Sequence, residues 1–150
     1  MIVFQSSRLP MPAIDRKVVV AWIRRVAATY GKQVGDLGYV FCDDEEILDV
    51  NIKYLGHDYF TDIITFDYSS GHVVSGDMYI SLDTVRTNSE QFVREYDARR
   101  FRSAYEAELH RVIIHGVLHL CGINDKGPGE REIMEECENQ ALALLPLREV

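Results

Sequence analysis

The chain lacks several features that would place it in a broad class at once. Only three of its 150 residues are cysteines (Cys42, Cys121 and Cys137), and no two of them form a Cys-x-x-Cys pair. They predict reduced, buried thiols in a cytoplasmic protein rather than a disulfide framework. No apolar run reaches the roughly 18 residues of a membrane span, so no membrane association is expected. The chain start also lacks the basic and then apolar pattern of a secretory signal.

Basic residues are scarce as well. Sixteen Lys and Arg stand against 24 Asp and Glu, which gives a formal net charge of −8. A broad electrostatic attraction to nucleic acid is therefore not expected, and any RNA contact would have to be local. The length, the apolar fraction of 47% and the absence of repeats or linkers predict that residues 1–150 form a single domain.

Hydrophobic periodicity predicts short strands and about five helices. We expect strands at 2–5, 38–42, 63–68 and 78–80. The last two are expected to form an antiparallel hairpin that turns at 69–72, with Gly76-Asp77 as a bulge or a tight entry into its second strand. The expected helices span 17–30, 43–56, a segment starting at Ser81 or Asp83, 103–121, and a segment following Pro128-Gly129. Phe92, Tyr96 and Ile133 are expected on the buried faces of the third and last helices.

The helix at 103–121 carries the feature that suggests chemistry. His115 and His119 are four residues apart, so their side chains lie one above the other on a helix and can reach one ion. Gly122 is placed to end the helix in a left-handed conformation, and the reversed chain can bring Asp125 back beneath the two rings. Two nitrogens and one carboxylate oxygen would leave a fourth position open for water, which is typical of catalytic zinc.

Gly116 argues against the most familiar enzyme of this kind. In His-Glu-x-x-His proteases a glutamate next to the first histidine is the general base, and here glycine occupies that position. Peptide hydrolysis by that route is disfavoured, whereas attack on phosphorus remains compatible with the site. His57, Asp62 and Asp77 lie on predicted loops that can reach the site, although turn formation explains each of them separately.

The residues of this motif carry a family resemblance. His-Gly-Val-Leu-His-Leu-Cys-Gly-Ile-Asn-Asp, at 115–125, resembles the signature of the bacterial YbeY-type endoribonucleases, the rRNA maturation factors. The segments 51–58, 61–66 and 75–81, together with Met134 and Glu138, resemble further parts of that family. The resemblance implies an α+β fold in which a small mixed sheet packs on a central, metal-carrying helix. It also implies one zinc ion, cleavage of single-stranded RNA, maturation of the 16S rRNA 3′ end, and ribosome quality control.

Two positions depart from the family pattern. The family usually has a third histidine where this chain has Asp125, and an arginine where it has Leu55. If that arginine binds phosphate, another base must replace it. Lys53, Arg111 and Lys126 are the candidates, and Arg111 is preferred because it shares the helix stripe of the two histidines.

These observations predict a cytoplasmic zinc endoribonuclease that acts on rRNA or the small ribosomal subunit without an organic cofactor. The predicted metal ligands are His115, His119 and Asp125, and Arg111 is the predicted phosphate contact. Two alternatives stay open. One is a zinc hydrolase of another substrate class, and the other is a non-catalytic ribosome-associated factor in which zinc only joins the helix to the following loop.

Overall fold

A computed structural model describes residues 1–92 and 94–148 of the chain. Its four strands form one sheet in the order β1-β2-β4-β3, with β2 parallel to both neighbours and β3 antiparallel to β4. The strands are β1 (Ile2–Ser6), β2 (Gln33–Cys42), β3 (Ile63–Asp67) and β4 (Val73–Ser81). The predicted mixed sheet and the antiparallel hairpin are confirmed.

The described residues also contain five α-helices, as predicted. They are α1 (Arg16–Thr29), α2 (Asp44–Val50), α3 (Leu82–Gln91), α4 (Ala104–Leu120) and α5 (Glu130–Leu142). Side chains of Asp43, Ser81 and Ser103 accept hydrogen bonds from the first turns of α2, α3 and α4, which satisfies backbone N–H groups that have no partner within the helix. Ser81 rather than Asp83 is thus the cap of α3.

Helix α4 is the centre of the core. It packs against β3, β4, α1, α3 and α5, and most of its second half is buried. Leu109, Ile113, Ile114 and Leu118 are each no more than 1% exposed. Burying side chains of this size stabilises the fold by about 1.5–3 kcal/mol each, which fixes α4 rigidly in place. The histidines on its remaining stripe are therefore presented by a helix that is packed on most of its sides.

The sheet differs from the prediction at two places. Strand β2 begins at Gln33, five residues before the apolar run, and the irregularity in its pairing lies between Val34 and Leu37. Gly76 and Asp77 pair regularly within β4, so the predicted bulge there is wrong. A Cβ atom at Gly76 would lie 2.5 Å from the carbonyl oxygen of Phe66. Glycine permits this close approach of two backbones.

The buried faces of two helices also differ from the prediction. Phe92 is 63% and Tyr96 is 42% exposed, because α3 ends at Gln91 and both residues lie beyond its helical period. Ile133 is 59% exposed, while its neighbour Met134 is 2% exposed. The prediction for Ile133 is therefore wrong, whereas Met134, Ala141 and Leu145 are buried as expected. No helix in the described ranges is both long and apolar enough to cross a bilayer.

Candidate metal centre and its cleft

Three potential ligand atoms converge at the C-terminal end of α4. The Oδ2 atom of Asp125 lies 3.3 Å from Nε2 of His115 and 3.4 Å from Nε2 of His119. One ligand atom from each of the three residues lies within 4.8 Å of the others. The two imidazole rings are 4.6 Å apart between centroids and nearly perpendicular, at 83°. The trio that the sequence predicts as metal ligands is thus brought together.

The local sequence explains this convergence. His115 and His119 share a face of α4 because they are one helical turn apart. The helix ends at Leu120, and Gly122 has a φ of 100°, a conformation that side-chain-bearing residues rarely adopt. The Ile123 amide then donates to the Leu118 carbonyl at 3.1 Å, which closes the turn. The chain reverses and returns Asp125 to the histidine stripe.

Glu138, on α5, orients the first histidine. Nδ1–H of His115 donates to Oε2 of Glu138 at 2.6 Å, and the other oxygen, Oε1, accepts from Arg111 at 2.9 Å. Glu138 is 7% exposed, so this carboxylate is almost entirely removed from water. A carboxylate on one ring nitrogen fixes the tautomer and leaves Nε2 as the free ligand. His115 is therefore held with the nitrogen that faces Asp125 available to a cation.

The pKa values of the site reflect burial and neighbouring charges. Burial by itself would lower the pKa of His115, but the hydrogen bond and charge of Glu138, with Asp62 and Asp125, raise it overall. Burial and the neighbouring His115 lower the pKa of His119. Burial works against ionisation of Glu138, but His115 and Arg111 lower its pKa overall. The two histidines thus differ, and the ring of His119 loses its proton more easily.

The structure explains why glycine occupies position 116. A Cβ atom at Gly116 would lie 2.5 Å from Sδ of Met78 and 3.0 Å from Cδ1 of Ile63. The position therefore faces the sheet rather than the metal ligands, and β4 leaves no room there for a glutamate side chain. The protease-type base is excluded by packing as well as by residue type.

A cleft of about 610 Å³ opens beside the three ligands. His115, His119 and Asp125 form part of its lining, and so do His57, Tyr59 and Asp62 from the segment between the π-helical turn at Asn51–Leu55 and β3. His57 and Asp62 thus line the same cleft as the three candidate ligands. Asp77 is exposed within β4, and its neighbours on both sides, Gly76 and Met78, are buried. Because side chains alternate across a strand, Asp77 faces away from α4.

Asp62 is the cleft residue that turn chemistry explains least well. Burial raises the pKa of its carboxyl group, while His115 and two backbone amides oppose that shift. A carboxyl group whose pKa is raised by burial, beside a metal-type site, is a common feature of active sites. Nothing in the sequence beyond its position in the 61–66 segment distinguishes Asp62 from an ordinary turn aspartate.

Arg111 is placed differently from the expected phosphate contact. Its guanidinium group donates to Glu138 Oε1 and, at 2.8 Å, to Asn139 Oδ1, and its side chain is 13% exposed. Both arms of the fork are thus engaged by acceptors on α5. Lys126, by contrast, is exposed and lines the cleft next to Asp125. The structure therefore favours a supporting role for Arg111. Lys53 is exposed as well but is not among the residues that line this cleft, so Lys126 is the candidate base that lies beside the ligands.

The donor set is suited to a zinc-like cation. Two imidazole nitrogens and one carboxylate oxygen are a ligand set found in catalytic zinc sites. A histidine that binds zinc usually donates its other ring N–H to a carboxylate, as His115 does to Glu138. Three protein ligands beside an open cleft leave room for a substrate atom. Fold and site together define a small α+β protein with a two-histidine, one-aspartate metal-type centre.

Comparison with known proteins identifies the family. The sequence model described as Endoribonuclease YbeY matches residues 5–146. Proteins named endoribonuclease YbeY from Parabacteroides distasonis and Phocaeicola vulgatus are 61% and 60% identical to this chain, over 97% and 98% of its length and 96% and 100% of theirs. The chain belongs to the endoribonuclease YbeY family. The resemblance seen in the 115–125 motif is thereby confirmed.

A solved structure supports the fold at lower sequence identity. The solution structure of a Thermotoga maritima protein superimposes with a TM-score of 0.60 and covers 95% of this chain and 87% of its own. Sequence identity between the two is 22%, so this likeness concerns the fold alone. The α+β arrangement is thus shared with a distant protein.

Proposed function

We propose that this protein is a metal-dependent endoribonuclease that cleaves single-stranded RNA. The observation that carries the proposal is the convergence of His115, His119 and Asp125 at the edge of an open cleft, in a member of the endoribonuclease YbeY family. A relative with 61% identity over nearly the whole chain carries the endoribonuclease name.

We propose zinc as the ion, held by His115 and His119 through Nε2 and by Asp125 through a carboxylate oxygen. When bound, such an ion supplies Lewis acidity toward a phosphoryl oxygen and makes a nucleophile available near neutral pH. The residues of the chain do the positioning. Glu138 fixes the His115 ring, Arg111 holds Glu138, and the cleft beside the ligands receives the RNA strand.

The proposed biological setting is the maturation of rRNA. We propose a cytoplasmic protein that acts at the 16S 3′ end and in ribosome quality control, with rRNA or the small ribosomal subunit as partner and no organic cofactor. The net charge of −8 supports delivery of the RNA through a local contact or a ribosomal protein rather than through broad attraction. Lys126 is the accessible base that we assign to a phosphate near the ligands.

The open cleft favours catalysis over a purely structural ion. Structural zinc sites are usually closed by four protein ligands, whereas here three candidate ligands border about 610 Å³ of accessible space. The geometry also argues against a peptidase of the His-Glu-x-x-His kind, because Gly116 packs on Met78. A phosphodiester substrate therefore suits the site better than a peptide cleaved by that route, and a catalytic ion suits it better than a purely structural one.

The experiment is cleavage of single-stranded RNA by chelator-free protein, with and without added zinc. We expect wild type to cleave and His119→Ala to lose activity by at least about a hundredfold, since one of three ligands is removed. Equal cleavage by the two proteins would indicate a contaminant or another site. A duplex of the same sequence should be cleaved much more slowly.

A further inference from the structure

One wall of the metal cleft is built from uncharged and aromatic side chains. It consists of Leu55, His57 and Tyr59, which we call the aromatic wall. Leu55 is 43% and Tyr59 is 51% exposed, although both are large side chains that a protein usually buries. Because they line the cleft next to the candidate ligands, their exposed surface is available to a ligand bound there.

The aromatic wall is held in a fixed conformation. The rings of His57 and Tyr59 are stacked, with centroids 5.2 Å apart and an interplanar angle of 17°, and the Tyr59 hydroxyl is hydrogen-bonded to Nδ1 of His57 at 3.0 Å. The side chain of Asn51, which is 2% exposed, donates to the Tyr59 carbonyl at 2.9 Å. A ring that is already ordered loses little conformational entropy when a ligand stacks on it.

The charges of the cleft restrict what this wall can bind. Asp62, Asp67, Asp125 and Glu130 line the cleft, whereas Lys126 is the only lysine or arginine among its described lining residues. Away from the metal ligands and Lys126, phosphate groups would meet negative charge. Stacking between a base and an aromatic ring needs no positive charge on the protein. The nucleobase is thus the part of an RNA that this wall can attract.

We propose that the aromatic wall is a nucleobase-stacking subsite, in which Tyr59 stacks against one base of the RNA strand bound at the metal centre. The inference rests on the proposed function and specifies how that site selects its substrate. Bases within a duplex are stacked on one another and have no free face to offer, whereas an unpaired base does. The subsite therefore provides a physical reason for preferring single strands.

The test combines protein variants with RNAs that lack one base. Cleavage efficiency, kcat/KM, is measured for the zinc-loaded full-length protein on a single-stranded RNA and on a series with one abasic nucleotide at successive positions. The variants are Tyr59→Leu, which removes the ring, and Tyr59→Phe, which keeps it. Tyr68→Leu is the matched control, because Tyr68 is 63% exposed but is not among the residues that line this cleft.

We expect Tyr59→Leu to lose about tenfold in kcat/KM, and Tyr59→Phe to lose clearly less because it keeps the ring. Tyr68→Leu should stay near wild type. With the RNA that lacks the base at one particular position, kcat/KM of wild type should fall to the value that Tyr59→Leu has on the intact RNA. Tyr59→Leu itself should lose little more on that abasic RNA. The stacking subsite is refuted, and the nuclease proposal stands, if wild type cleaves RNA and Tyr59→Leu cleaves it equally well. It is also refuted if the loss from the substitution and the loss from the missing base multiply at every abasic position. If wild type cleaves no RNA, the proposed function fails first.

Discussion

Glu138 and His115, on two different helices, share a hydrogen bond of 2.6 Å that leaves Nε2 of His115 directed toward Asp125. The bond joins residues 23 positions apart in the chain. It makes the orientation of the first candidate ligand depend on the packing of α5 against α4. Metal affinity should therefore respond to a residue that does not itself bind the ion.

Replacing Glu138 by Gln should weaken metal binding, and it should also lower stability because Arg111 loses its charged partner. The amide keeps the shape but loses the charge that holds the His115 tautomer, and loss of such a partner typically costs about 10–100-fold in metal affinity. Competition with a chromophoric chelator measures the affinity. Glu132→Gln is the matched control, because Glu132 is an exposed residue of the same helix. Equal affinities for the two variants would show that Glu138 does not support the site.

Arg111→Gln separates the predicted phosphate contact from the structural role seen here. Its guanidinium group is bound to Glu138 and Asn139, and breaking a largely buried ion pair by removing one partner costs about 3–5 kcal/mol at most. We expect a lower free energy of unfolding and weaker metal binding, measured by denaturant titration and chelator competition. The salt dependence of RNA binding should be unchanged. A fall of about one in that slope would instead show that Arg111 contacts a phosphate.

Gly116→Ala tests the close packing of α4 on β4. The added methyl group would meet Met78 Sδ at 2.5 Å, and overpacking of this kind costs about 1–3 kcal/mol, partly offset by the roughly 1 kcal/mol that alanine gains over glycine in a helix. A net loss of stability should appear in denaturant titration. The loss should shrink in a Met78→Ala background. Additive effects of the two substitutions would contradict the contact.

The free energy of unfolding should fall in mildly acidic solution because His110 is buried as a neutral ring. Burial lowers the pKa of His110, while its Nδ1–H donates to the Glu106 carbonyl at 2.7 Å. The unfolded chain, with a pKa near 6.5, then binds a proton that the folded state resists. The stability that neutral His110 contributes is fully present above pH 6.5, the pKa of the unfolded chain. It is lost as the pH falls below 6.5 and through the lower pKa of His110 in the folded state. Unfolding free energies at several pH values should show a shallower acid slope for His110→Gln. An identical slope would be inconsistent with this assignment.

The sequence predicts the parts of this protein that depend on local spacing. The i, i+4 histidines, the glycine after the helix and the returning Asp125 all follow from the geometry of one helix and its end. The antiparallel hairpin follows from two apolar runs separated by a turn. These features need no knowledge of distant contacts, and the structure contains each of them.

Features that depend on tertiary packing could not be predicted in the same way. The pairing of Glu138 with His115 requires the docking of α5, and the polar start of β2 at Gln33 is decided by its pairing with Val73. The π-helical turn at Asn51–Leu55 has no sequence signal that distinguishes it from an ordinary helix end. Arg111 shares the metal stripe as predicted, but its partners on α5 determine what it does.

The most direct test of a metal-dependent nuclease is a titration of metal-free protein with zinc, followed by the rate of single-stranded RNA cleavage. The three convergent ligands predict a cleavage rate that rises linearly with added zinc and becomes constant at one equivalent of zinc per chain. His115→Ala should show no such change at one equivalent. A rate that is insensitive to zinc and chelator, and equal in wild type and His115→Ala, would contradict the proposal that His115, His119 and Asp125 hold a catalytic ion.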